Sequence, residues 1–235
     1  MVRLRLKARD AWWTVLVIDP IAGPLTRAAA GRAWVTPNRL TLVSTLIGIG
    51  AAAAFALDEL IVGGLLFQLA FVLDCMDGKL AALRGTANPW GGYLDVAGDT
   101  LKFATCATAL GYVTVAHHDH ASAGAVAVLL LFLAARSGVL LLDFARPAPG
   151  GRPAPMMVEA TPRAILAAAP RRLGKIGSTV DTETLVFTIA PIAALPYEGF
   201  VVAAVLACLN LVWAIAKGAL VSEREARGAA AEGVR

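Results

Sequence analysis

The chain has 235 residues, of which 58% are hydrophobic and 16% charged, and a formal net charge of +4. Soluble domains hold roughly 45–50% apolar residues, so an ordinary water-soluble domain is excluded. The apolar residues come in runs long enough to cross a bilayer, which leaves an all-α polytopic membrane protein folded as a single integral domain over residues 1–235.

Residues 1–10 carry Arg3, Arg5, Lys7 and Arg9. The run AWWTVLVI that follows ends at Asp19-Pro20, which is short for a signal sequence. Residues 8–31 are therefore expected to form an interfacial amphipathic helix on the membrane, with Trp12, Trp13 and Trp34 at headgroup level. Six spans are then predicted, over 38–57, 60–82, 91–115, 121–143, 182–197 and 199–219. They make a core of residues 33–220, followed by a solvated tail over 221–235. Asn88-Pro89 is expected to break the second span and start the third. Residues 147–163 are rich in Pro and Gly and read as a loop. A short helix over 163–172 is expected next, and Ser178, Thr179 and Thr182 are candidate caps for the fifth span.

All but two of the 21 Lys and Arg residues fall at the termini or near the second and fourth connections. The other connections hold Asp58-Glu59, the AHHDH run and the PYEG turn, with no Lys or Arg. Both termini are thus expected on the cytoplasmic side of the cell's inner membrane. The two exceptions, Lys102 and Arg136, lie inside predicted spans. His117, His118 and His120 cluster with Asp119 on the outer side and read as a solvated loop. Cys75, Cys106 and Cys208 have no metal or disulfide spacing and read as small buried residues. No nucleic-acid partner is expected.

Four carboxylates stand out against this apolar background: Asp74, Asp77, Asp95 and Asp99. A charged group inside a bilayer costs about 2.5–3.5 kcal/mol on insertion scales. Asp74 and Asp77 are spaced i, i+3 near the end of the second span, and Asp95 and Asp99 i, i+4 near the start of the third. Each pair shares a helix face. A short turn makes the two helices antiparallel neighbours, so the faces can converge. Carboxylates that close need a countercharge. Hard divalent ions such as Mg²⁺ take carboxylate oxygens and leave positions for phosphate oxygens, and two of them could clamp a pyrophosphate. Gly78, Ala81, Gly91, Gly92 and Gly98 fit close approach of a helix or ligand.

The stretch from Asp74 to Asp99 resembles the signature of the CDP-alcohol phosphotransferase family, D-x2-D-G-x2-A-R-x8-G-x3-D-x3-D. Here it runs Asp74, Asp77, Gly78, Ala81, Gly91, Asp95, Asp99, with Ala82 where the family has Arg. TPNRLT, Thr36 to Thr41, resembles the family's opening of the first span. The resemblance implies transfer of a phosphoalcohol, such as phosphatidyl, from a CDP-linked donor such as CDP-diacylglycerol to an acceptor hydroxyl, with release of CMP, in phospholipid synthesis. It implies two Mg²⁺ or Mn²⁺ ions on Asp74, Asp77, Asp95 and Asp99, with Asp99 as the base for the acceptor. It implies donor contacts from Asn38, Thr41, Gly78, Ala81 and Gly91, with Arg84 in place of the absent signature Arg. Lys102, Arg136 and Lys175 are the candidates for phosphate or a phosphorylated acceptor. It also implies a homodimer among membrane lipids. A divalent-cation transporter and a catalytically weak relative are the alternative readings.

Overall fold

Residues Arg3–Leu6 alternate basic and apolar side chains, the period of a half-buried strand. They form β1, with Leu4 and Leu6 buried and Arg3 and Arg5 exposed. Its antiparallel partner is β2, Met156–Glu159, with Arg3 opposite Glu159 and Leu6 opposite Met156. Part of the expected loop over 147–163 is therefore a strand. This ribbon comes from a computed structural model that describes residues 2–117, 123–145, 154–175 and 177–232. His118, Asp119 and His120 lie outside the described residues, as do Arg146 and Arg152.

The N-terminal helix begins at Trp12 rather than at residue 8. The reason is that Asp10 is already bonded elsewhere. Its N–H donates to Arg172 O at 2.9 Å, and its carbonyl accepts from Gly174 N at 2.8 Å. A π-helical turn, Thr14–Ile18, leads into α1, Asp19–Ala30. One face of this segment buries Val15, Ile18, Ala22 and Ala29, while Trp12, Leu16, Ile21 and Leu25 stay exposed. Arg32 and Val35 turn the chain back toward the core.

Local chemistry marks the ends of the long helices. Pro37 opens α2, Pro37–Ala56, and Thr36 Oγ1 accepts from Arg39 N at 3.3 Å. Helix α3, Leu60–Arg84, stops at Gly85 in the left-handed region at φ 66°. The stop signal is thus Gly85, ahead of the expected Asn88-Pro89. Pro89 starts α4, Pro89–His117, and Asn88 Oδ1 accepts from Gly91 N at 2.8 Å. Then come α5, Ala123–Ala145, and α6, Pro162–Arg172, capped by Thr161. Ser178 and Asp181 form a reciprocal capping box on α7, Thr179–Thr184. A π-helical turn, Leu185–Ile189, and α8, Ala190–Ile192, continue it before α9, Pro196–Glu232.

Among the described residues four helices are long and apolar enough to cross a membrane: α2, α3, α5 and α9. The expected spans over 91–115 and 182–197 are not among these four. Helix α4 is long enough, but Asp95, Asp99 and Lys102 make its first half polar. Residues 179–192 would cover only about 21 Å at helical rise, short of the roughly 30 Å hydrocarbon core. The tail differs as well, because the α9 backbone stays helical through Glu232.

Helix α2 sits between α3 and α4, packing closely on both, and these two make little direct backbone contact with each other. They are not the adjacent antiparallel pair that the short turn suggested. Small residues make room for this: a side chain at Gly48 would collide with the stem of Lys102, and one at Gly98 with Thr45. Deeper in the bundle, Phe67, Phe103, Phe132, Phe187 and Phe200 interlock. Their ring centroids lie 4.8 Å apart for Phe67 and Phe187, and 5.7 Å apart, edge-on, for Phe103 and Phe187. Helix α9 joins this core through Ala203, Ala204 and Ala207 and packs mainly on α5.

Candidate active site

Asp74 and Asp77 project from the last turns of α3, and Asp95 and Asp99 from the first turns of α4. Helix α2 lies beneath both pairs and supplies hydroxyls. Thr41 Oγ1 donates to Asp77 Oδ2, and Ser44 Oγ donates to Ala70 O at 2.9 Å. One carboxylate oxygen from each of Asp74, Asp95 and Asp99 lies within 4.8 Å of the others. Asp77 is 5% exposed, accepts from Thr41 and is not part of this trio.

Lys102 answers part of the repulsion among these groups. Its Nζ lies 2.6 Å from Asp74 Oδ1, 2.9 Å from Asp99 Oδ1 and 2.9 Å from Ser44 Oγ. An ammonium has three donors, so all of Lys102's are taken. Lys102 stands in this structure as the countercharge to Asp74 and Asp99. The ammonium also shows that a cation fits between Asp74 and Asp99. The donor set is oxygen-only, shallow and partly open, since the Asp99 side chain is 52% exposed. A hard divalent ion suits such a set.

Three cavities meet at this cluster. The largest, about 440 Å³, is lined by all four aspartates together with Arg5, Lys7, Asp19, Lys79 and Arg172. A second, about 230 Å³, is lined by Asn38, Thr41, Gly78, Ala81 and Gly91, and it touches Asp77 and Asp95. Five of the six sequence-derived donor residues thus come together, from α2, α3 and α4. Ala82 also faces this cavity. A third, about 180 Å³, joins Asp99 to Lys102, Arg136 and Glu183.

The three remaining candidates, Arg84, Arg136 and Lys175, do not line the 230 Å³ cavity. Arg84 donates to Val35 O at 2.5 Å, Arg32 O at 2.9 Å, Ala29 O at 3.0 Å and Ala30 O at 3.1 Å. It lashes the end of α3 to the end of α1 and the α1–α2 connection, and it does not line the 230 Å³ cavity. Arg136 donates to Glu183 Oε1 from Nε at 2.8 Å and from Nη2 at 2.6 Å, and its guanidinium stacks 3.6 Å over the Phe103 ring. Its charge is already matched. Lys175 is exposed on the connection between α6 and α7 and lines none of the three cavities.

Ser44 and Glu183 were missed from sequence. Ser44 had a signal, because Thr41 and Ser44 are spaced i, i+3 on one face of an apolar helix. Glu183 had none, because its partner lies 47 residues away.

Long apolar helices around an aspartate cluster define a membrane protein with a candidate metal site. The chain belongs to the CDP-alcohol phosphatidyltransferase family, whose profile matches residues 34–219. An archaetidylinositol phosphate synthase from Pyrococcus horikoshii is 37% identical over 71 residues, covering 30% of this chain and 38% of that protein. A bifunctional IPC transferase and DIPP synthase from Thermococcus kodakarensis is 37% identical over 81 residues, covering 34% of this chain and 18% of that protein. The matches thus span well under half the length of either relative. The fold resembles Mycobacterium tuberculosis phosphatidylinositol phosphate synthase, PgsA1. In apo form the TM-score is 0.58 at 20% identity, covering 82% of this chain and 93% of that one. With CDP-DAG bound it is 0.55, covering 83% and 92%. The same enzyme is known in complex with manganese and citrate, again at 0.55.

Proposed function

We propose that the protein is a metal-dependent CDP-alcohol phosphotransferase that joins a CDP-linked lipid to a polyol phosphate such as inositol phosphate. The observation that carries this reading is the convergence of Asp74, Asp95 and Asp99 where the three cavities meet, in a chain of this family. The relatives' names, which speak of inositol phosphate lipids and of CDP-DAG, favour this acceptor and donor.

In this reading Asp74, Asp77, Asp95 and Asp99 hold two divalent ions, which supply charge neutralisation for the pyrophosphate and the leaving group. The cytidine end occupies the smaller cavity, where Gly78, Ala81 and Gly91 keep side chains out of its way and Asn38 offers an amide. Asp99, the most exposed of the four, takes the proton of the acceptor hydroxyl. The hydroxyl oxygen bonds to the β-phosphorus, the bond to the CMP oxygen breaks, and CMP leaves with that electron pair. Lys102 keeps Asp74 and Asp99 in place for this step. The six core helices all thread the bilayer, with α4 and residues 179–192 sheltered by their neighbours. The site opens to the cytoplasm, and two copies pair as a homodimer.

The test is incubation of the purified protein with CDP-diacylglycerol, Mn²⁺ and a mixed pool of alcohols and polyol phosphates, followed by mass spectrometry of the lipid. CMP and a lipid bearing inositol phosphate are the expected products. Metal flux into liposomes without CMP formation would replace this reading with a transporter.

A further inference from the structure

Lysine side chains are long, flexible and mostly solvated. Lys102 is none of these: it is 6% exposed and held at both ends. Its stem lies in a notch cut by Gly48 of α2, where a Cβ would overlap Lys102 Cγ and Cδ. Its ammonium is fixed by Ser44 Oγ, Asp74 Oδ1 and Asp99 Oδ1. Ser44 is held in turn, since its hydroxyl donates to Ala70 O at 2.9 Å. Two helices therefore build a place for one positive charge between two carboxylates.

The neighbouring cations are committed elsewhere. Lys79 pairs with Asp19, Arg136 with Glu183, and Arg84 with backbone carbonyls. Among the described residues, Lys102 alone forms an ion pair with any of the four aspartates. Four carboxylates and one ammonium leave three negative charges on the site. One divalent ion nearly balances them. A second ion, added alone, would make the site positive inside a protein bundle, where uncompensated charge is costly. An anionic pyrophosphate would remove that cost, because its oxygens both ligate the ion and offset its charge.

We propose that Lys102 is a built-in cation that limits metal loading: the substrate-free protein binds one divalent ion tightly, and the second enters only together with the pyrophosphate of the donor. Lys102 thus acts as a positioning residue. It keeps Asp74 and Asp99 converged when no metal is bound, and it ties full loading of the site to the arrival of substrate. The entry of the second ion with the donor rests on the transferase reading; the single tight ion of the free protein does not.

The test titrates Mn²⁺ into the chelator-stripped, full-length protein in non-ionic detergent and follows free Mn²⁺ by electron paramagnetic resonance. The wild type should bind one Mn²⁺ tightly per chain. Lys102→Met keeps a side chain that fits the Gly48 notch and removes the charge, and Lys102→Gln serves as a second variant that retains a polar end. Each should bind two Mn²⁺, the first at least roughly 10-fold more tightly than the wild type does, a change of about 1.4 kcal/mol. Melting temperature supplies an independent readout. Chelation should leave the wild type nearly unchanged, whereas the stripped variants should melt lower and recover with Mn²⁺. Two tight ions in the wild type without donor would overturn the proposal, even if neither variant folds. So would variants with the wild type's ion count and affinity. A final titration adds CDP-diacylglycerol without acceptor, which should bring a second Mn²⁺ onto the wild type. If it brings none while the variants still bind two, Lys102 keeps its role and the two-ion transferase reading fails.

Discussion

Asp95 sits where the aspartate trio and the cavity proposed for the donor overlap, so it is the residue whose loss should be felt most directly. Asp95→Asn keeps the shape and removes one charge. CMP release should fall at least ~100-fold, since even an outer partner of a metal ligand is worth 10–100-fold. A variant that turns over like wild type would remove the aspartates from the chemistry. Arg84 is the opposite case. Its guanidinium satisfies four backbone carbonyls, so Arg84→Ala should lower stability by about 2 kcal/mol. The KM for the CDP-linked donor should stay unchanged, and a selective rise in that KM would restore Arg84 to the donor site. The contrast shows what residue type can and cannot reveal. A carboxylate in an apolar helix needs compensation wherever it lies, so the aspartates were visible in the sequence. An Arg beside a signature satisfies its donors with whichever acceptors the fold brings near.

At the scale of elements, the site depends on α2 fitting between α3 and α4. Gly48 is the point of closest fit, since any side chain there meets the stem of Lys102. Gly48→Ala should therefore cost about 1–3 kcal/mol through overpacking. It should also depress kcat by displacing the ammonium from Asp74 and Asp99. Melting temperature and kcat measured together check this, and a drop in the first alone would separate Lys102 from catalysis. Gly85 tests a purely local effect. Its φ of 66° and open surroundings mean that Gly85→Ala meets no clash and costs only the left-handed backbone penalty, about 1–2 kcal/mol. Helix starts such as Thr36-Pro37 and Asn88-Pro89 were legible because caps act within one turn, and Ser178 was one of three candidate caps for the segment it begins. The early end of α8 was not legible, because the apolar run continues past Pro191 and the left-handed Ala194 that close the helix.

Across the whole molecule, six threaded core helices would put both termini and the aspartate cavity on one side. In a protein with Cys75, Cys106 and Cys208 replaced, a single Glu59→Cys should react with an impermeant thiol reagent only from the face opposite the site. Lys175→Cys should react only from the site's face. Labelling of both positions from the same side would break the proposed topology. The N-terminal segment matters at this scale too. Trp12 Nε1 donates to Gly174 O at 3.0 Å, Trp13 N donates to Asp181 Oδ1 at 3.0 Å, and β1 pairs with β2. The N-terminal segment and the α5–α7 connection thereby form one unit over the large cavity. Residues expected to lie alone on the membrane surface are a wall of the site.

Hydropathy, helix caps and the spacing of four aspartates were enough to specify a helical membrane protein, the ends of most helices and the family signature. These are local properties, set by bilayer thickness, by one turn of helix and by the i, i+3 and i, i+4 geometry of a face. The insertion of α2 between α3 and α4, the matching of Arg136 by Glu183, and the union of β1 with β2 belong to the folded molecule alone. Each joins residues far apart in the chain, and packing volume and charge matching among them are settled only when the chain has closed.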